Sequence, residues 1–216
     1  MPTLPDVAAR PELRGVSHQW AFLVALAGGV ALVALAPDGR ARLALSVYAV
    51  TIAGLFGVSA LYHRISWSSA RARAWMRRAD HAMIFLVIAG TYTPFAVLVL
   101  QGTTATVILI VVWAGALAGI LLKLVWIGAP KWLAAAAYVA LGWVAVAAFP
   151  QLIEHAGLLA TIGLGAGGVL YTLGAVVYAL QRPDPVPHVF GYHEVFHALV
   201  IAAAALQFAV IAGVSL

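Results

Sequence analysis

Seven apolar stretches, each close to the roughly 20 residues that cross a bilayer as a helix, run through this 216-residue chain: Trp20–Ala36, Leu43–Tyr62, Ala82–Leu100, Thr103–Leu122, Trp132–Phe149, Gly157–Leu180 and Val195–Leu216. In lipid, backbone N–H and C=O groups must be paired inside the protein, and a helix pairs them within one segment. Composition agrees, since only 9% of residues are charged, against about a quarter in a soluble domain. Punctuation between the stretches is of the expected kind: Pro37-Asp38-Gly39 and Gly128-Ala129-Pro130 read as turns, and the Pro-rich stretch Arg182–Pro187 as a stiff loop that cannot continue a helix. The sequence therefore predicts an all-α membrane protein, a seven-transmembrane helix bundle at residues 18–216 preceded by a polar cytoplasmic leader at 1–17. Ala34-Leu35-Ala36 also has the small-x-small form of a signal-peptide cleavage site; the long polar leader and the Pro37 that would follow the cut favour a retained span.

With seven spans the loops alternate sides, and the cations sort accordingly. Arg10, Arg14, Arg64, Arg71, Arg73, Arg77, Arg78, Lys123, Lys131 and Arg182 fall on the N-terminal side, and only Arg40 and Arg42 on the other. Cytoplasmic loops gather Lys and Arg, so the N-terminus is expected in the cytoplasm and the C-terminus outside, in a multi-pass protein of the inner membrane. The net charge of +5 is thus topological, and no nucleic-acid partner is expected. The segment "RISWSSARARAWMRRA" at 64–79 reads as an interfacial amphipathic stretch whose Arg meet anionic headgroups. The chain has no cysteine, so any metal must be held by His and carboxylate.

Ionisable groups inside a span are costly and need partners or a cavity. Four of them share one depth: His63 at the end of span two, Asp80 at the start of span three, and His193 and His197 at the start of span seven. Residues four apart on a helix share a face, so His193 and His197 project together, as do Ser59 and His63. Three imidazoles beside a carboxylate form the donor set of a catalytic Zn2+ site with an open position for water. Asp80, read as lying at a helix N-terminus, would be held anionic by the macrodipole and could orient or deprotonate that water.

The stretches "SALYHR" at 59–64, "ADHAMIFLVIAGTYTPF" at 79–95, "GGVLYTLGAVVYAL" at 167–180 and "HVFGYHEVFHAL" at 188–199 resemble, in order, the bacterial haemolysin III branch of the progestin and adipoQ receptor family. The likeness runs from about Gly15 to the C-terminus. It implies a zinc ion near the cytoplasmic side held by His63, His193 and His197, with Asp80 beside the metal-bound water and Ser59 supporting the site. It further implies a ceramidase-like hydrolase acting on the amide bond of a membrane lipid or lipid-like substrate, while bacterial members are named for a lytic activity. Two other function classes stay open: a lipid-responsive receptor or regulator with structural zinc, and a membrane-lytic protein. No span carries the repeated polar stripe of a water-filled pore, and the sequence identifies no protein partner.

His193-Glu194-x-x-His197 is also the helical zinc motif of metalloproteases, with the Glu as base. Such enzymes take a third ligand downstream, yet none of the 19 residues after His197 is His, Asp, Glu or Cys. Glu194 is accordingly expected to support the site or to pair with a loop Arg. His81 is expected at the interface, His18 and His188 on the surface, and His155 at the opposite end. Gly115-x-x-x-Gly119 and Gly163-x-x-x-Gly167 read as close helix contacts, and Pro94 as a kink served by Thr91 and Thr93.

Overall fold

The computed structural model describes residues 11–216; residues 1–10 of the predicted leader, with Arg10, lie outside them. Its helices are α1 Val16–Ala34, α2 Gly39–Arg64, α3 Ala70–Leu98, α4 Gly102–Val125, α5 Lys131–Gly142, α6 Phe149–Ala156, α7 Leu158–Leu180 and α8 Tyr192–Ser215, with a 3-10 segment Trp143–Ala148 joining α5 to α6. Counting α5 to α6 as one crossing, seven segments among the described residues are long and apolar enough to span a membrane. These are the seven spans expected, in order.

Local chemistry sets several of the ends. Asp38 caps α2 by accepting from the Ala41 amide at 2.7 Å, and Ser69 caps α3 by accepting from the Ala72 amide at 3.4 Å. Gly15 starts α1 at φ 77°, a left-handed conformation that suits glycine. A side chain there would also press on His63, since a Cβ would fall 2.6 Å from the His63 Cβ.

Three boundaries differ from the sequence reading. Helix α3 begins at Ala70, so most of the Arg-rich stretch is its first three turns rather than a separate interfacial segment. Asp80 therefore lies ten residues inside a helix, about 15 Å from its start, beyond the first turn within which the macrodipole acts. The fifth span is broken at Trp143 and runs on to Ala156, where one continuous helix ending at Phe149 was expected. Tyr92 of α3 serves this break: its hydroxyl donates to the Gly142 carbonyl at 2.6 Å and accepts from the Ala145 amide at 2.6 Å. A side chain thus pairs the backbone groups that the interrupted helix leaves open. Helix α3 continues through Pro94, and the Thr91 and Thr93 hydroxyls donate to the Val87 and Ala89 carbonyls.

Small residues bring the helices together as their spacing predicted. A Cβ on Gly163 would meet Val210 at 2.7 Å, and one on Gly167 would meet Gln207 at 2.9 Å, so α7 packs tightly on α8. On α4, a Cβ at Gly115 would fall 2.6 Å from Leu141, and one at Gly119 would fall 2.2 Å from the buried ring of Phe85. Gly119→Ala is expected to cost roughly 1–3 kcal/mol through overpacking, read as a lower thermal midpoint in detergent. An unchanged midpoint would mean that α3 and α4 do not meet there.

Candidate metal centre

Three helices deliver the polar groups at one end of the bundle. His63 comes from the last turn of α2, Asp80 from within α3, and His193 and His197 from the first turns of α8. One ligand nitrogen from each of His63, His193 and His197 lies within 4.8 Å of the other two. The Nε2 atoms of His63 and His193 face each other at 3.2 Å, close to the roughly 3.3 Å that separates two nitrogens on a tetrahedral zinc with bonds of about 2.05 Å. His197 is buried. The donor set therefore fits a divalent metal: imidazoles crowd together without a carboxylate among them, and a cation would relieve the facing lone pairs.

Asp80 stands beside this group. Its Oδ2 is 3.9 Å from His63 Nε2 and 3.7 Å from His81 Nδ1, beyond direct hydrogen-bond range. Ser59, one turn before His63, is buried and faces Asp80. All five predicted residues thus meet at one site.

His81 Nδ1 donates to the Arg77 carbonyl at 2.8 Å, leaving Nε2 to accept from the Tyr178 hydroxyl at 3.3 Å. It belongs to the wall of the site and not to the three-histidine cluster. His188 is exposed, as expected, and the exposed His155 bonds the Gln151 carbonyl of its own helix.

Glu194 uses both oxygens structurally. Oε1 pairs with Arg14 Nε at 2.6 Å, and Oε2 accepts from the Gly191 amide at 2.9 Å, tying the start of α8 from within its own first turn. The sequence suggested a pairing with a loop Arg; the partner is Arg14, just before α1, and the pairing leaves no oxygen to serve as a protease base. The described part of the leader also packs here, the Glu12 and Leu13 amides donating to the His188 and Val189 carbonyls at 3.0 and 3.2 Å.

His18 corrects the sequence reading. Expected on the surface, it is only 3% exposed, its Nδ1 lies 2.9 Å from Ser59 Oγ, and its ring stacks on His197. Its place two residues into α1 puts it at the same depth as the other histidines, and that shared depth is the signal that could have found it.

The site opens into a cavity whose empty volume, part of it open to the surroundings, is about 1130 Å³. From Asp80 the cavity passes along α3 to Tyr92, about 18 Å by helical rise, between mostly apolar walls. A second cavity of about 520 Å³ shares Tyr92, Trp143 and Gln207 with it and continues towards Leu152.

The family described as haemolysin-III related matches residues 7–208. The chain is 30% identical to "Hemolysin-3" of Bacillus cereus over 168 residues, 78% of this chain and 73% of that protein. It is 28% identical to the "Hemolysin-3 homolog" of Bacillus subtilis over 76% of this chain and 73% of that one. The human "Monocyte to macrophage differentiation factor" is 24% identical over 89% of this chain and 79% of its own length. With seven membrane-crossing segments and a family match that spans nearly the whole bundle, this multi-pass membrane protein belongs to the haemolysin III-related family.

Proposed function

We propose that the protein is a zinc-dependent hydrolase that cleaves the amide bond of a membrane lipid, with its site facing the cytoplasmic leaflet. The observation that carries this reading is the three-imidazole cluster standing at the head of a deep apolar cavity. His63, His193 and His197 would hold the zinc, which when bound would supply Lewis acidity and a nucleophilic water at neutral pH. The cavity takes the acyl chain and so brings the amide carbonyl to the histidines. Asp80 accepts a proton from the attacking water and returns it to the departing nitrogen, so the C–N bond breaks to a carboxylic acid and an amine. Ser59 orients Asp80. Cytoplasmic facing follows from the cation asymmetry, because the site shares its end of the bundle with the Arg-rich side.

The test is release of free fatty acid from a panel of N-acyl lipids by the purified full-length protein, measured by mass spectrometry with and without chelator. Chelator-sensitive release is expected. A metal-loaded protein that releases none would defeat the hydrolase and favour a receptor with structural zinc. The name of the Bacillus cereus relative supports a lytic reading, which dye leakage from vesicles that survives loss of all three histidines would favour.

A further inference from the structure

A metal-ligating histidine usually donates its second ring nitrogen to a carboxylate, carbonyl or water, which fixes the ring's orientation. His197 lacks that device, since its buried Nδ1 has no hydrogen-bond partner. Its ring is held by packing instead. The His18 imidazole lies flat against it, with centroids 3.6 Å apart and planes 10° from parallel.

His18 is itself locked. Its Nδ1 meets Ser59 Oγ at 2.9 Å, the Phe56 ring stands edge-on to it at 5.0 Å, and the residue is buried. One side chain on α1 thus connects the α2 serine that faces Asp80 to the α8 histidine.

We propose that His18 is a positioning residue of this centre, its ring bracing the His197 imidazole and its Nδ1 fixing the Ser59 hydroxyl. The inference rests on the metal reading of the cluster and not on hydrolysis. Without the brace His197 can turn about its side-chain torsions, so the ligand set is less preorganised and the metal is bound more weakly. Loss of such outer support typically costs about 10–100-fold in metal affinity.

Two substitutions separate the ring from the hydrogen bond. His18→Phe keeps a flat ring without the nitrogen, and His18→Asn keeps a polar group near the Nδ1 position without the ring. With full-length protein in detergent, Zn2+ affinity and the visible ligand-field spectrum of Co2+-loaded protein are read together with the thermal midpoint. His18→Asn is expected to bind metal about tenfold more weakly with an altered Co2+ spectrum, while His18→Phe stays near wild type. Loss in both variants also supports the brace and makes the Ser59 bond part of it. Wild-type affinity and spectrum in both, even with a lowered midpoint, would overturn the proposal, as would loss in His18→Phe alone. If His18→Asn does not fold, His18→Leu decides, since it too removes the flat ring: a weaker, spectrally altered site is expected, and an unaltered one overturns the brace. A wild-type protein that binds no metal would overturn the metal reading and this inference together, whereas metal binding untouched by these variants overturns this inference alone.

Discussion

His63→Ala should leave the purified protein with almost no bound zinc, where the wild type should carry about one ion per chain. The three ligand nitrogens lie within 4.8 Å of one another, and His63 is the member that reaches the pair on α8 from another helix. Without it two imidazoles remain one turn apart on α8, which is too few for a stable site of three protein ligands. Affinity should fall by more than the 10–100-fold typical of an outer support. The same loss appears in thermal stability. A metal at 100 times its Kd stabilises the folded state by about 2.7 kcal/mol, and a hundredfold weaker site at that concentration leaves only about 0.4 kcal/mol. Chelated wild-type protein should therefore regain a higher midpoint when zinc is restored, and the variant should not. Metal analysis by mass spectrometry decides the matter: a full equivalent of zinc in His63→Ala would show that His63 is not a ligand.

Asp80→Asn tests the chemistry apart from the metal. The Asp80 carboxylate lies 3.9 Å from His63 Nε2 and outside the three-histidine group, so its replacement by the isosteric amide should leave zinc stoichiometry near one. An amide cannot take up the proton of the attacking water. Turnover on a cleavable N-acyl lipid should drop by about 10²–10⁴-fold, the usual worth of a positioned base, with substrate binding in the apolar cavity little changed. Retained zinc with lost turnover is the expected pair of results. Full activity in this variant would remove Asp80 as the base, and lost zinc would make it a ligand instead.

Much of the bundle could be read along the chain because hydropathy is a local sum. Twenty apolar residues span a bilayer whatever they pack against, so the seven crossings were legible. So was the common depth of His63, Asp80, His193 and His197, with Ser59 one turn deeper, which follows from counting residues along each span at 1.5 Å apiece. The Gly-x-x-x-Gly pairs were legible too, since a missing Cβ permits close approach in any partner.

Illegible were the features set by neighbours. Nothing local marks the break at Trp143, because the carbonyl and amide it opens are paired by Tyr92, some fifty residues away. Ten further residues of helix before Asp80 were hidden, since the arginines of that stretch fit a surface segment as well as a helical turn.

From the sequence alone came the number of crossings, the family likeness and the four ionisable residues that share a level in the membrane, with Ser59 one turn away. Tertiary structure decided which way each helix is turned at that level. It faced His18 inward onto His197 and Ser59, committed both oxygens of Glu194 to Arg14 and the Gly191 amide, and left His81 in the wall. The reason is physical: depth adds up residue by residue along one helix, whereas rotation about its axis is fixed only when contacts such as Gly15 on His63 and Gly167 on Gln207 close against other helices.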